Sequence, residues 1–413
     1  MLRRVLALLA CGLACETDFN CSYNGDCVDG ACACAPGWEG AFCHRLALLP
    51  VVNGSGLDLT RGGGGAPAIS TWGGSVVRDD AGAYHMFASL VTRHCGIHRW
   101  LTNSVVARAT SASATGPFAL ARGADGDVAP SAIVFGLFAH EPLATRAPDG
   151  TYALYFTAWP NGSAADAPPC NCSDGDSSSG EDGCFDEPGV GANKTLLSYV
   201  SSAPAPEGPW SAPQPLARAQ EGLEQTDMNL APVIREDGSA LAWTRWSIWT
   251  SPRWDDARAY VDAGQAPDWD NVSFWEGEDP YVWRDARGRW HMLSHDGARG
   301  EGGTDAEPAG DCGRHWFSTS GAAGTWNAVP NASLALGGCA YPRANVSFAD
   351  GPRRTFYRRE RPHLVFGDDG ATPVALTTSV IDSPVYGVDR SYTLLQAIGR
   401  GESSSDSPIA LAQ

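Results

Sequence analysis

Charge is scarce in this chain, and positive charge is scarcer still. Only 18% of the 413 residues are charged, and 29 basic groups face 47 acidic ones for a formal net charge of −18. Nucleic acid and anionic membrane surfaces both demand a positive footprint, so this balance excludes both as partners. Long apolar runs are missing too: beyond the N-terminus nothing approaches the roughly 18–20 apolar residues of a membrane-spanning helix. There is no Gly-x-Ser-x-Gly elbow, no zinc-spaced Cys/His set and no dinucleotide fingerprint. The glycine run at Gly62–Gly65 lacks the Lys-Ser/Thr of a phosphate loop. No cofactor and no resident metal is expected. What the chain does have is Gly 48 and Pro 28 on a 43% hydrophobic background, which favours many short strands over long helices. At roughly 150 residues per domain there is room for two or three.

Residues 1–14 read as a secretory signal. Arg3 and Arg4 form a positive start, Val5–Ala10 are apolar, and Gly12 and Ala14 are small enough for cleavage. Leu13-Ala14-Cys15 also resembles a bacterial lipoprotein signal, but Cys15 is needed by the pattern that follows. With Cys11 lost in the signal, twelve of the 13 cysteines remain, an even number. Eight Asn-x-Ser/Thr sequons, at Asn20, Asn53, Asn161, Asn171, Asn193, Asn271, Asn331 and Asn345, suit a glycosylated surface. The expectation is a secreted, extracellular, oxidised protein.

Cys15, Cys21, Cys27, Cys32, Cys34 and Cys43 crowd into a stretch too short to bury a core, so disulfides must stabilise it. Six cysteines allow fifteen connectivities, and spacing alone does not choose among them. The pattern, ending CACAPGWEGAFC with Gly37 and Trp38 at the C-terminal turn, resembles an epidermal-growth-factor-like (EGF-like) module over residues 15–43. That resemblance implies the pairs Cys15–Cys27, Cys21–Cys32 and Cys34–Cys43, and a role as rigid spacer or protein-contact unit. Calcium-binding members carry acidic residues before the first cysteine; here that place is signal, so no calcium is expected. Residues 44–67 read as a flexible linker.

The remainder repeats itself. Val77-Arg78-Asp79-Asp80-Ala81-Gly82-Ala83-Tyr84-His85-Met86 matches Trp283-Arg284-Asp285-Ala286-Arg287-Gly288-Arg289-Trp290-His291-Met292 at one offset, and each is a strand, a polar turn and a second strand. Similar hairpins start at Glu141, Asn229 and Arg361, making five. Outer strands end in Gly-x-aromatic at Phe118, Trp210 and Trp326. Five such units predict an all-β chain: a five-bladed β-propeller over residues 68–398, closed by Ser391–Ile398, with a polar tail at 399–413. The Asp-box of sialidase propellers is absent. Cys312 and Cys339 are assigned to one staple, leaving Cys95, Cys170, Cys172 and Cys184 for two further bridges. Three of those lie in a Ser/Gly/Asp-rich insertion, 159–194, whose Asp174, Asp176 and Ser178 fall short of a calcium loop at Gly180 and Phe185.

Innermost strands of a propeller start around one mouth. With the turn glycine as register, the equivalent first positions are Gly73, Glu141, Asn229, Asp279 and Arg361, and one residue earlier stand Trp72, His140, Met228, Glu278 and Glu360. Alternation turns one set to the axis and the other sideways. His295 and Asp296 return to the same mouth at the end of a second strand. The (Asp/Glu)-Pro-aliphatic starts, Asp-Gly turns and Gly-Pro-Trp outer strands resemble glycoside hydrolase family 43 and its relatives. That resemblance implies axial carboxylates acting as acid and base on a polysaccharide or glycan. The family's base would fall where Trp72-Gly73-Gly74 stands, and its acid where Met228-Asn229 stands, so neither carries over. Glu141 and Asp279 are the candidate acid–base pair, with Glu278 and Glu360 in reserve and Arg361 as substrate clamp. The substrate-binding candidates are His140, Asn229, His295, Asp296, Trp72 and Trp246, the last from the run WTRWSIWTSPRW. Two alternatives stand beside hydrolysis: the carboxylates pair with Arg361 to close the ring, and the propeller binds glycan or protein without catalysis.

Overall fold

The computed structural model describes residues 15–60, 69–97, 100–123, 128–136, 138–158, 196–216, 229–244, 247–265, 278–295, 312–328, 339–382 and 391–400. The expected signal, the 159–194 insertion, Trp246, Asp296 and the tail beyond Arg400 lie outside these. The described chain is nearly all β and forms five antiparallel blades around one axis. The innermost strands are Thr71–Arg78, Ala139–Arg146, Ala231–Ile234, Glu278–Arg284 and Arg358–Phe366, one per blade in chain order. Each turns back into a second strand, and at the turn Gly82, Gly150, Gly238, Gly288 and Gly370 all hold φ between +66° and +89°. Side chains avoid that region, which is why glycine marks the register of every hairpin. No described helix is long and apolar enough to cross a membrane.

Second strands such as Tyr84–Val91 and Trp290–His295 are buried along their whole length, because each blade is covered on both faces by its neighbours. Apolar clusters accordingly sit between blades. Phe87, Val106, Leu154 and Phe156 join blades one and two; Tyr155, Val200, Trp249 and Tyr260 join two and three; Trp243, Met292 and Trp316 join three and four. Most described tryptophans are spent here: Trp243, Trp249 and Trp254 are buried core rather than an exposed platform.

The stretch read as a flexible linker is mostly a docked strap. Blade five supplies the strands Arg358–Phe366, Pro373–Ile381 and Tyr392–Ala397, and the chain before blade one runs along its open edge. Antiparallel bridges join Leu48 to Ile398 and Leu57 to Thr393, with Leu49 N donating to Ala397 O at 2.9 Å. Leu46, Val51 and Leu57 are buried by it. The apolar run in LALLPVV supplies that burial, and a flexible segment would leave it in water.

Disulfides join Cys15–Cys27, Cys21–Cys32, Cys34–Cys43 and Cys312–Cys339. Cys95 is also disulfide-bonded. The EGF-like module is no free spacer, since it lies against blade four. Trp38 stacks on Trp283 at 6.3 Å and touches His315 at 4.8 Å, and Phe19 and Tyr23 meet Phe317 edge-on. Asp26–Arg287 at 2.8 Å and Asp18–Arg289 at 3.0 Å form the polar rim. Leu57 sits at 1% exposure in the cluster shared by blades one and five, so Leu57→Ala is expected to cost about 2–5 kcal/mol. Chemical denaturation of the full chain measures it, and a loss below about 1 kcal/mol refutes the strap's role in closure.

Candidate functional site

Four of the five innermost strands begin with the same irregularity. The pairing register slips between Trp72 and Ser75, His140 and Leu143, Glu278 and Tyr281, and Glu360 and His363. Each slip is a bulge, which bends the strand and re-aims a side chain. At the equivalent residue of every blade the backbone is left-handed: Gly73 at φ +71°, Glu141 at +58°, Asn229 at +71°, Asp279 at +58° and Arg361 at +58°. Glycine and asparagine accept this readily. Glu, Asp and Arg do so at a cost of about 1–3 kcal/mol each, a strain that native structures keep mainly at functional sites. The bulged amides still need acceptors, and hydroxyls on the preceding blade's second strand provide them. Glu141 N donates to Ser89 Oγ at 2.9 Å, and Gly73 N donates to Ser379 Oγ.

The bulges gather one charged cluster at the mouth, with about 330 Å³ of space including that open to solvent. Its lining includes Gly73, Glu141, Asn229, Asp279, Arg361 and His363. Arg361 bridges two carboxylates: Nη2 donates to Glu141 Oε1, and Nη1 lies 2.9 Å from Asp279 Oδ1. Asp279 Oδ1 also accepts from Asn229 Nδ2 at 2.5 Å, and its Oδ2 lies 2.8 Å from His295 Nδ1. The side chains of Glu141 and Asp279 are 5% and 2% exposed, so the guanidinium compensates charges that water cannot reach.

Titration follows from that burial. Desolvation pushes the Glu141 carboxyl up to about 7, against the pull of Arg361. Burial opposes ionisation of Asp279 too, but Arg361 and His295 outweigh it and hold the group below the usual carboxylate range. Burial works against the His295 imidazolium, yet Asp279 and Glu360 raise it to about 9. His363, buried and facing Arg361, falls to about 4.

The remaining candidates part company. Glu278 and Glu360 sit on the rim, 24% and 19% exposed, with Glu278 Oε2 3.5 Å from His295 Nε2. His295 is buried beside Asp279, its Nδ1 2.8 Å from Asp279 Oδ2. His140 lies under Trp100 at 5.0 Å, its Nδ1 2.6 Å from Ser104 Oγ and its Nε2 3.4 Å from Glu141 Oε1. Trp72 is core, packed with Val91, Cys95, Ile97 and Ile381. Glu141 and Asp279 are not two unpaired carboxylates facing each other, and Arg361 is not a free clamp, because the three share one ion cluster. The supporting hydroxyls Ser89 and Ser379 escaped sequence reasoning, although a serine at the same place in FASLV, TTSVI and MLSHD was the available signal.

Fold and mouth together define a five-bladed propeller of the kind found in glycosidases, carrying a docked EGF-like module. The teneurin-like EGF domain model matches residues 17–45. Among solved structures, the chain is similar to an α-L-arabinofuranosidase from Podospora anserina crystallised with cellotriose, with a TM-score of 0.51 at 13% identity over 86% of this chain and 98% of that one. A GH62 hydrolase in complex with xylotriose gives 0.49 at 12%, over 85% and 97%. A xylan β-1,4-xylosidase from Bacillus halodurans C-125 gives 0.46 at 15%, over 80% and 53%. At such identity the likeness is one of fold. Among curated protein sequences none matches the chain.

Two outcomes follow from the cluster. Arg361→Ala strips Glu141 of its cation and leaves Asp279 only His295 and Asn229, and is expected to cost about 3–5 kcal/mol, read from denaturant unfolding; a neutral effect refutes the bridge. The Glu141 carboxyl is raised from 4.5 to about 7 in the folded chain, so its proton is held more tightly there than in the unfolded chain. This group's share of stability is therefore present at acid pH and declines as pH climbs through that interval. Carboxyl ¹³C NMR is expected to show a midpoint near 7, and an ordinary midpoint refutes the assignment.

Proposed function

We propose that the protein is a secreted carbohydrate-binding propeller whose axial mouth holds a sugar without cleaving it. One observation carries the reading. Around the mouth, Glu141 Oε2, Asn229 Oδ1, Arg361 Nε and His363 Nδ1 are buried without a hydrogen-bond partner among the described residues. Buried polar atoms in native proteins are normally paired, and the exceptions concentrate where a ligand completes them. The set mixes acceptors with a donor, which suits neutral hydroxyl groups that both give and accept protons. In this reading Glu141, Asn229 and Arg361 contact the sugar, Glu278 and Glu360 line the rim, and His295 and His140 hold the carboxylates in place. The strained backbone at Glu141, Asp279 and Arg361 supports it, since strain of that kind is retained where function needs a fixed side chain. The disulfide-rich module supports an extracellular setting. Any protein partner meets that module on the side turned away from blade four.

Hydrolysis needs a proton donor and an ionised carboxylate that can reach water or the sugar. Asp279 meets three partners and is almost fully buried, while blades one and three offer only Gly73 and Asn229. A single observation favours the hydrolytic reading: the environment splits Glu141, at about 7, from Asp279, held low. Such a split separates a proton donor from an ionised partner.

A glycan array run beside a polysaccharide-release assay on the secreted chain decides between them. Binding without release is expected, with affinity lowered roughly tenfold or more by Glu141→Gln and by Asn229→Ala, as befits a lost charge-assisted or buried hydrogen bond. Release by the wild type that Glu141→Gln abolishes establishes the hydrolytic reading instead. Neither binding nor release removes both.

A further inference from the structure

The internal repeat places one Asp–His pair on the outer face of blade one and another on blade four. In blade one, His85 Nε2 lies 3.0 Å from Asp79 Oδ2 and its Nδ1 2.9 Å from Arg108 Nη1. In blade four, Asp285 and His291 occupy the same places, but His315 replaces the arginine, with His291 Nδ1 3.1 Å from His315 Nε2. A flat, neutral ring there is what the EGF-like module packs on. Trp38 covers it, and Asn24 Nδ2 reaches the imidazole within 3.2–3.4 Å while also donating to Cys43 O at 3.2 Å. Asn24, His291 and His315 are all buried.

Hydrogen-bond polarity fixes the proton count. Asp285 can only accept, so His291 Nε2 carries hydrogen and its Nδ1 offers a lone pair. The Asn24 amide, which can only donate, lies 3.4 Å from His315 Nδ1 and 3.2 Å from its Nε2, so this ring must keep a lone pair to receive it. The chain Asn24 to His315 to His291 to Asp285 is complete with both rings neutral, and a proton added to either ring deletes an acceptor.

We propose that this histidine relay is an acid-sensitive clasp: docking of the EGF-like module on blade four requires both imidazoles neutral, and acidification loosens it. The charged and titratable groups around the rings are Asp285, Arg287 and Arg289 of blade four, with Asp18, Asp26, His44 and the Glu39–Arg45 pair of the module. Burial, then the neighbouring His291 and His44, holds His315 well below the ordinary imidazole range. Burial also lowers His291, and Asp285 only partly opposes it. Both groups therefore bind protons less well in the folded, docked chain than as free imidazoles, and the module's Trp38 and Asn24 supply part of the cover over His315. The full docking strength is present above the free imidazole value of 6.5 and is lost as pH falls below it. Loosening uncovers Trp38 and Phe317, both buried in the docked chain, while the strap keeps the module tethered.

Hydrogen exchange on the full chain tests it. The amide of Gly37 in the module donates to Arg400 O, so its protection, corrected for intrinsic rates, reports docking. Protection is expected to be flat above pH about 6.5 and then to fall by up to about tenfold per pH unit for each ring. His315→Phe keeps a flat ring without a proton site and is expected to lose this ring's share of the fall between about pH 6.5 and 4.5, leaving at most the share of His291; His315→Gln serves if that variant does not fold. Wild-type protection that stays level in this window overturns the clasp, as does a parallel fall in the variants. So does a fall confined to below about pH 4, which belongs to the Asp18–Arg289 ion pair.

Discussion

The guanidinium of Arg361 is the interaction on which the mouth depends. It stands on blade five and meets Glu141 of blade two and Asp279 of blade four, so one planar group ties three blades at the axis. Without it two carboxylates share a site that water does not reach, and each isolated buried charge costs several kcal/mol. The same contacts hold three ordinary residues in a left-handed backbone at about 1–3 kcal/mol each. Charge-assisted hydrogen bonds of about 1.5–3 kcal/mol are of the size needed to offset that strain. The cluster is thus self-consistent: the bulges bring the charges together, and the charges hold the bulges in shape.

That consistency limits what the mouth can do. A carboxylate already answering to Arg361, Asn229 and His295 has little basicity left to offer a water molecule. The propeller frame is one that solved glycosidases share, but chemistry resides in the side chains at the axis, and here the first and third blades contribute glycine and asparagine. A frame of that shape still gathers polar atoms from distant parts of the chain into one recess, which is enough for recognition.

The ring was legible in the sequence because its marks are local. A turn glycine in each hairpin and an aromatic after each outer-strand glycine repeat in phase, and from them the five mouth positions follow by counting. The bulges were not legible. Nothing in His-Glu-Pro or Glu-Asp-Pro says that the middle residue adopts a backbone its side chain disfavours, since that choice is imposed by partners on other blades. Strict alternation therefore misjudged Trp72, which the bulge sends into core, and His140, which stays beneath Trp100. The strap failed for a related reason: Leu57 pairs with Thr393, and no window of sequence contains both. Likewise His315 looked like one more strand residue until Asn24 and Trp38 were seen against it.

The strap carries a consequence for biogenesis. The segment that seals blade five is near the front of the polypeptide, and the strand it zips against is near the back. A ribosome therefore delivers one half of the seam long before the other. Until the last strand arrives, the leading half has no place to settle and the annulus stays open. Closure of the ring then waits on the Tyr392–Ala397 strand, whichever blades have set before it.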